Sequence, residues 1–260
     1  MSPKIPTTAE QLLKRLPGEP LYSGVSPEDR AAEQLGNDMA ELDGMITRRE
    51  EWMCAQALFN GKIHVKGEGV DEIIDFELTN KEALVDTALW SNAASDPLAD
   101  LKRWRQAVIK ASGISPDTVI MASDADDAFL GHEKVQKLLD LRLVDTGQIN
   151  PQHLPNGATY VGRIAEVGVN IFTYDEWYLD DDNVEKPMVP EKTVLMGSTG
   201  ARFDMLYGAY IEHLEGGGVG VYDLPRVPRS WVEKDPSVRW VQMISRPLPV
   251  PQYIDSLYVA

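Results

Sequence analysis

The four histidines, His64, His132, His153 and His213, are the side chains best placed to move protons or bind metal near neutral pH. No two of them share a His-x-x-x-His spacing, and Cys54 is the only cysteine, so no pair of ligands is set on one helical face. Isolated in this way, they read as structural or surface groups. There is no Gly-x-Ser-x-Gly elbow to present a nucleophile. Two glycine clusters, Gly197-Ser198-Thr199-Gly200 and Gly216-Gly217-Gly218-Val219-Gly220, stop short of the Gly-Lys-Ser/Thr that cradles a triphosphate. The first, lying between two strand patterns, reads as a hairpin turn with glycines at positive φ, and the second as a flexible loop.

Acids offer oxygen ligands and proton acceptors. Asp180-Asp181-Asp182-Asn183 lacks the spaced acids, the sixth-position glycine and the distal Glu of a helix-flanked calcium loop, so it reads as a solvated turn joining two strands. Asp124, Asp126 and Asp127 sit where a helix starts and complement its dipole without any catalytic duty. Arg103-Trp104-Arg105 mixes cation and ring as single-strand binders do, but three residues on one helical turn make no groove and read as core and rim packing. Trp90, Trp177, Trp231 and Trp240 read as interior or interface anchors. The sequence thus nominates no catalytic, no cofactor-binding and no metal-ligating residue.

The elements carrying these groups belong to a chain of 260 residues, long enough for one large domain or two small ones. With 43% hydrophobic residues it can bury a core, which excludes overall disorder. Twenty-five basic against 41 acidic residues leave a net charge of −16, opposite to what a surface for neutralising phosphates needs; sequence-specific nucleic-acid binding is not expected. One cysteine excludes an intramolecular disulfide. No stretch approaches the ~20 apolar residues of a membrane-spanning helix, and none at the N-terminus has signal length; a cytosolic protein without a membrane partner is expected.

Pro3, Pro6, Pro17 and Pro20 make residues 1–26 an extended arm rather than core. Ser26 as cap, Pro27 at the first helical position and the acids Glu28 and Asp29 predict a helix start. Leu35, Met39, Leu42, Ile46, Met53 and Ala57 form its apolar stripe, Glu33, Asp38, Glu41, Asp43, Arg48, Arg49 and Glu50 its solvent faces, and Asn60-Gly61 its stop. A helix of this length spans ~50 Å and acts as a strut on a sheet or partner. A hairpin is expected from 62–66 and 74–78, then a helix opened by Asp96-Pro97 and closed by Gly113. A strand over 117–122, a short helix capped by Ser123 and running through Leu130, and another over 133–141 follow. Strands are expected at 160–165, 169–174, 176–179, 193–196, 205–212, 238–245 and 253–259. The prolines of 246–251 permit an edge strand or crossover only. The class is α+β.

Several blocks in order carry a resemblance: Leu16-Pro17-Gly18-Glu19, Asn60-Gly61-Lys62, Thr193-Val194-Leu195-Met196-Gly197, Tyr207-Gly208, Pro228-Arg229-Ser230-Trp231-Val232, Asp235-Pro236 and Ser245-Arg246-Pro247-Leu248-Pro249. With these, the chain from about Leu12 onward resembles the lambda-type major capsid proteins of tailed bacteriophages, the capsid protein E family. The blocks carry no chemistry, so the resemblance implies architecture and assembly. It implies the tailed-phage head fold: 1–26 as remnant of an extended loop or arm, 27–97 as peripheral domain with spine helix and hairpin, 98–234 as axial domain, and 235–260 as strands returning to the peripheral domain. It implies a non-enzymatic, cofactor-free subunit assembling into pentamers, hexamers and an icosahedral shell enclosing phage DNA. Partners would be the chain itself and phage decoration, scaffolding and portal proteins, and the location the virion, after synthesis in the host bacterial cytoplasm. Against the family pattern the chain reads as N-terminally shortened. Flanks of the spine helix and the glycine loop at 216–220 are its candidates for neighbour contacts. Two alternatives stand beside this reading: a soluble α+β enzyme or ligand-binding protein using carboxylates in a cleft, and a non-assembling remnant of a defective prophage.

Overall fold

A computed structural model describes residues 1–14, 25–67, 69–140, 147–155, 157–180, 182–214, 216–235 and 237–260, with backbone only for 138–140 and 147–150. The Leu16–Glu19 block lies outside the described residues, as does Pro236. Contacts divide the chain into two compact units, Met1–Glu51 with Met205–Pro249, and Trp52–Asp204 with Val250–Ala260.

In the first unit the long helix, Pro27–Ala55, begins as its sequence dictates. Asp29 N–H donates to Ser26 Oγ at 3.1 Å and Ser26 N–H to the Asp29 carboxylate at 3.2 Å, a reciprocal capping box. These bonds from Ser26 hold the Asp29 carboxyl below its ordinary range. Leu42 and Ile46 are fully buried against Val241 and Met243, flanked by Ile5, Leu35, Met39 and Met45. The sheet beneath them has three antiparallel strands, Lys4–Thr8, Ser237–Ile244 and Val227–Lys234, in that order. Completely burying a side chain such as Leu42 contributes about 1.5–3 kcal/mol, which is how a helix with this many charges is held to a sheet.

Two expectations change here. Residues 4–8, read as part of an arm, form an edge strand with Thr7 buried. Pro6 is tolerated because an edge strand need not donate on both sides. Asp38, assigned to a solvent face, is 2% exposed and accepts from Thr7 Oγ1 at 2.8 Å and Gln34 Nε2 at 2.7 Å. A carboxylate so supplied with donors can be buried.

The second unit takes the end of the long helix, which passes through a π-turn at Gln56–Asn60 and stops at Gly61, φ +67°. Its hairpin is Lys62–Gly67 with Val70–Asp75, a tighter turn than expected, so 76–78 lie beyond the second strand. A six-stranded sheet follows in the order 258–259, 194–197, 118–121, 169–174, 158–164 and 147–153. Only 118–121 with 169–174 is parallel. Helices Pro97–Ser112, Ser123–Gly131 and Glu133–Asp140 accompany it. Asp96 caps the first through Ala99 N–H at 3.1 Å, and Gly113 closes it at φ +72°.

Trp104 lies at the centre of this core, stacked on Trp90 and Tyr258 at 5.6 and 5.5 Å, with Phe129 5.4 Å from Trp90. Three further expectations give way. Ser123 does not cap its helix; Ala122 holds the cap position and the Ser123 hydroxyl donates to Asp175. The strand expected over 205–212 is two, Phe203–Tyr207 and Tyr210–His213, interrupted at Gly208, whose N–H donates to Arg246 O at 2.9 Å. The strand expected over 253–259 is a 3₁₀ turn, Ile254–Ser256, and a short strand, Tyr258–Val259.

Candidate functional site

The histidines stay apart. His132 is buried, 3.2 Å from Ser95 Oγ; His64 faces Asp71 at 2.5 Å on the exposed hairpin; His153 Nδ1 lies 3.1 Å from Thr159 Oγ1; His213 is exposed. Asp71 is held below its usual range by that histidine. Among the described residues no cluster of three His, Cys, Asp or Glu is set to hold a metal ion, and no helix is long and apolar enough to cross a membrane.

The glycine clusters differ from expectation. Neither Gly197 nor Gly200 takes a positive φ, and strand 194–197 pairs with 118–121 and 258–259 rather than forming a hairpin. The turn is held instead by Asp117, which accepts from Thr199 N–H at 2.9 Å and Oγ1 at 2.5 Å. Gly216, Gly217 and Gly218 do take positive φ, and they close a hairpin of Tyr210–His213 with Val219–Tyr222 instead of a free loop. The acidic turn joins Trp177–Leu179 to Glu185–Pro187, with Asp180 accepting from Asp182 and Val184 N–H at 2.9 Å and paired with Lys186 at 2.5 Å. Those bonds, Lys186 first, keep Asp180 below its ordinary range.

A cavity of about 560 Å³ lies in the second unit between Phe59, Leu84, Leu89, Trp90, Trp104 and Val194, with Glu82 and Asp124 at its wall. Glu82 accepts from Arg103 at 2.6 Å, Trp104 Nε1 at 3.1 Å and the Tyr258 hydroxyl at 3.0 Å. The guanidinium, first among these, lowers its pKa, and burial beside Glu82 pushes the Tyr258 phenol up to about 12. All three donors converge on Oε2, and a carboxylate held ionised by them below its ordinary range is a weak acceptor for a substrate proton near neutral pH. Asp126, pushed up to about 6 by burial, then by Asp127 and Asp175, does not line that cavity. The second carboxylate of the cavity wall, Asp124, accepts from Lys192 N–H at 3.0 Å through both oxygens.

What the surface offers instead is apolar. Trp177 is 57% exposed beside Leu179 and Val184, unlike Trp90 in the core and the half-buried pair Trp231 and Trp240, stacked at 6.3 Å. In the first unit Ile211, Val219 and Val221 are bare. The sequence signal for that ribbon was present, Tyr-Ile-Glu-His and Val-Gly-Val-Tyr around three glycines, though reading 205–212 as one strand hides it.

Helices and many strands make this a protein of the α+β class. A family model for phage major capsid protein E matches residues 1–260, so the chain belongs to that family and is a structural capsid subunit. It is similar to the major capsid protein of Escherichia phage lambda, 23% identical over 257 residues covering 95% of this chain and 73% of the relative. Over equal shares it is 24% identical to the major capsid protein of Escherichia phage N15. Among solved structures, a protein assigned as the capsid protein of an E. coli CFT073 prophage superposes with a TM-score of 0.75 at 20% identity, over 100% of this chain and 75% of that one. A phage-related protein from Bordetella bronchiseptica RB50 gives 0.51 at 14% identity, over 100% and 73%. These likenesses establish the tailed-phage capsid fold.

Proposed function

We propose that copies of this chain associate into pentameric and hexameric rings and then into a closed icosahedral shell that encloses phage DNA. The observation that carries this reading is the family match along all 260 residues. The principal partner is then a second copy, with decoration, scaffolding and portal proteins as further partners. The working location is the virion, after synthesis in the host bacterial cytoplasm, and the subunit needs neither cofactor nor catalytic residue. Within the shell, residues 27–97 act as the peripheral domain, 98–234 as the axial domain and 235–260 as strands returning to the periphery. A net charge of −16 suits a container whose DNA must slide, because an acidic lining avoids the counterion-release attraction of a basic wall.

Light scattering across protein concentration and salt, with electron micrographs of the heavy fraction, tests the proposal. Rings or shells are expected. A strictly monomeric chain under all conditions overturns it and leaves a non-assembling remnant of a defective prophage.

A further inference from the structure

The hairpin of Tyr210–His213 and Val219–Tyr222 has two unlike faces. Its register sets Ile211 opposite Val221 and His213 opposite Val219, alternating with Tyr210 opposite Tyr222 and Glu212 opposite Gly220. Strand side chains alternate, so the first two pairs share one face and the last two the other.

The second face is anchored within its own unit. Tyr210 and Tyr222 stack at 6.4 Å, Arg229 donates to the Tyr210 hydroxyl at 2.9 Å and to the Glu212 carboxylate, and the Arg246 guanidinium lies 5.6 Å from the Tyr210 ring. Gly220 serves this packing, since a Cβ there would come within 3.0 Å of the Tyr222 ring. The first face is bare, with Ile211, Val219 and Val221 exposed to 61, 57 and 64%. Neither strand pairs with a third among the described residues.

Charge identifies what covers this face. Copies of a chain carrying −16 repel wherever acids meet. None of the four paired positions on the bare face is acidic, while the acid of the two paired strands, Glu212, is turned to the other face and neutralised by Arg229. Interface cores are depleted of charge in the same way, and exposed apolar patches of this kind mark contact surfaces. The ribbon therefore offers a place where two such copies can touch without setting carboxylate against carboxylate. We propose that the Ile211, Val219 and Val221 face is a contact between copies of this chain. This rests on the shell reading and names one of its interfaces.

Ile211→Asp and Val221→Asp in the full chain, compared with the wild type by light scattering and sedimentation velocity, test it. Val85→Asp, at another exposed valine, serves as the control for added charge. Each ribbon variant is expected to raise the concentration needed for assembly at least tenfold with an unchanged circular dichroism spectrum, and the control to leave it unchanged. A wild type that assembles while both ribbon variants assemble equally well, or while the control loses as much, overturns the contact and leaves the shell reading standing. A wild type that never assembles overturns both. Should the aspartates impair folding, a benzophenone side chain at position 221 decides: photo-crosslinks to a second copy are expected, and crosslinks confined within one chain overturn the contact.

Discussion

Arg226 and Glu50 meet fork to fork, Nη1 to Oε1 at 2.7 Å and Nη2 to Oε2 at 2.8 Å, while Nε donates to Asp43 Oδ1 at 2.8 Å. The guanidinium also reaches Ser245 Oγ at 3.3 Å. One side chain thus joins two turns of the long helix to the segment that leads into strand 227–234. The paired side chains are only 22 and 12% exposed, so water screens them poorly. Glu50, ahead of Asp43, raises the arginine pKa. Burial, and then Glu50, raises the Tyr207 phenol.

Lysine at position 226 keeps the charge and loses the fork. Arg226→Lys is expected to lower unfolding free energy by about 1–2 kcal/mol and Arg226→Ala by about 3, because alanine leaves Glu50 partly buried without its partner. Urea titrations of both variants check the order; equal losses would show that the fork geometry, and not the charge, carries the interaction.

Asp126 has the opposite problem. Its Oδ1 is buried with no hydrogen-bond partner among the described residues, and its pKa rises from 3.8 to about 6. The folded state therefore holds more protons than the unfolded one between those values, so stability falls as pH rises through that window and the penalty is complete above it. Asp126→Asn is expected to raise stability at pH 7 by about 1 kcal/mol, allowing for partial exposure, and to flatten the pH profile. Thermal unfolding at several pH values reads this directly.

Glu82 carries the reverse sign. Its folded pKa is depressed, chiefly by Arg103, from a reference of 4.5, so the stability it contributes is present above that value and lost as pH falls through the folded one. Glu82→Gln is expected to cost about 1–2 kcal/mol at neutral pH and to make unfolding less sensitive to acid. An acid profile unchanged from wild type would place the sensitivity on other groups.

Two glycines with opposite surroundings make a paired test. At Gly61, φ +67°, an added Cβ would lie 2.5 Å from Leu78 Cβ, and Gly61→Ala is expected to cost roughly 2 kcal/mol or more. Gly36 lies inside the long helix with nothing within 4 Å of a Cβ, so Gly36→Ala is expected to stabilise by up to about 1 kcal/mol. Melting temperatures of the two variants should move in opposite directions.

Features with local causes were legible in the sequence. Ser26-Pro27 and Asp96-Pro97 opened helices, and Gly61 and Gly113 closed them, because caps and left-handed stops depend on neighbours a few residues away. The strand at 4–8 was hidden because its partner is 238–242, and because Pro6 argues against a strand until the edge position is known. Asp38 looked like a surface acid since its donor, Thr7, comes from that same strand. Trp177 and Trp90 could not be told apart as tryptophans; only packing separates the bare ring from the core one. The ribbon at 210–222 was missed because the break at Gly208 is fixed by a bond to Arg246, distant in sequence.

The pairing of residues 4–8 with 238–242 has a consequence for biosynthesis. Until residues near 240 leave the ribosome, Leu42 and Ile46 have no Val241 and Met243 to cover them, and strand 194–197 waits in the same way for 258–259. At roughly 5–20 residues per second, the nascent chain spends many seconds with both sheets open. Each sheet thereby closes only after a segment distant in sequence has been made, and until then the growing chain presents neither finished sheet to its neighbours on the same polysome.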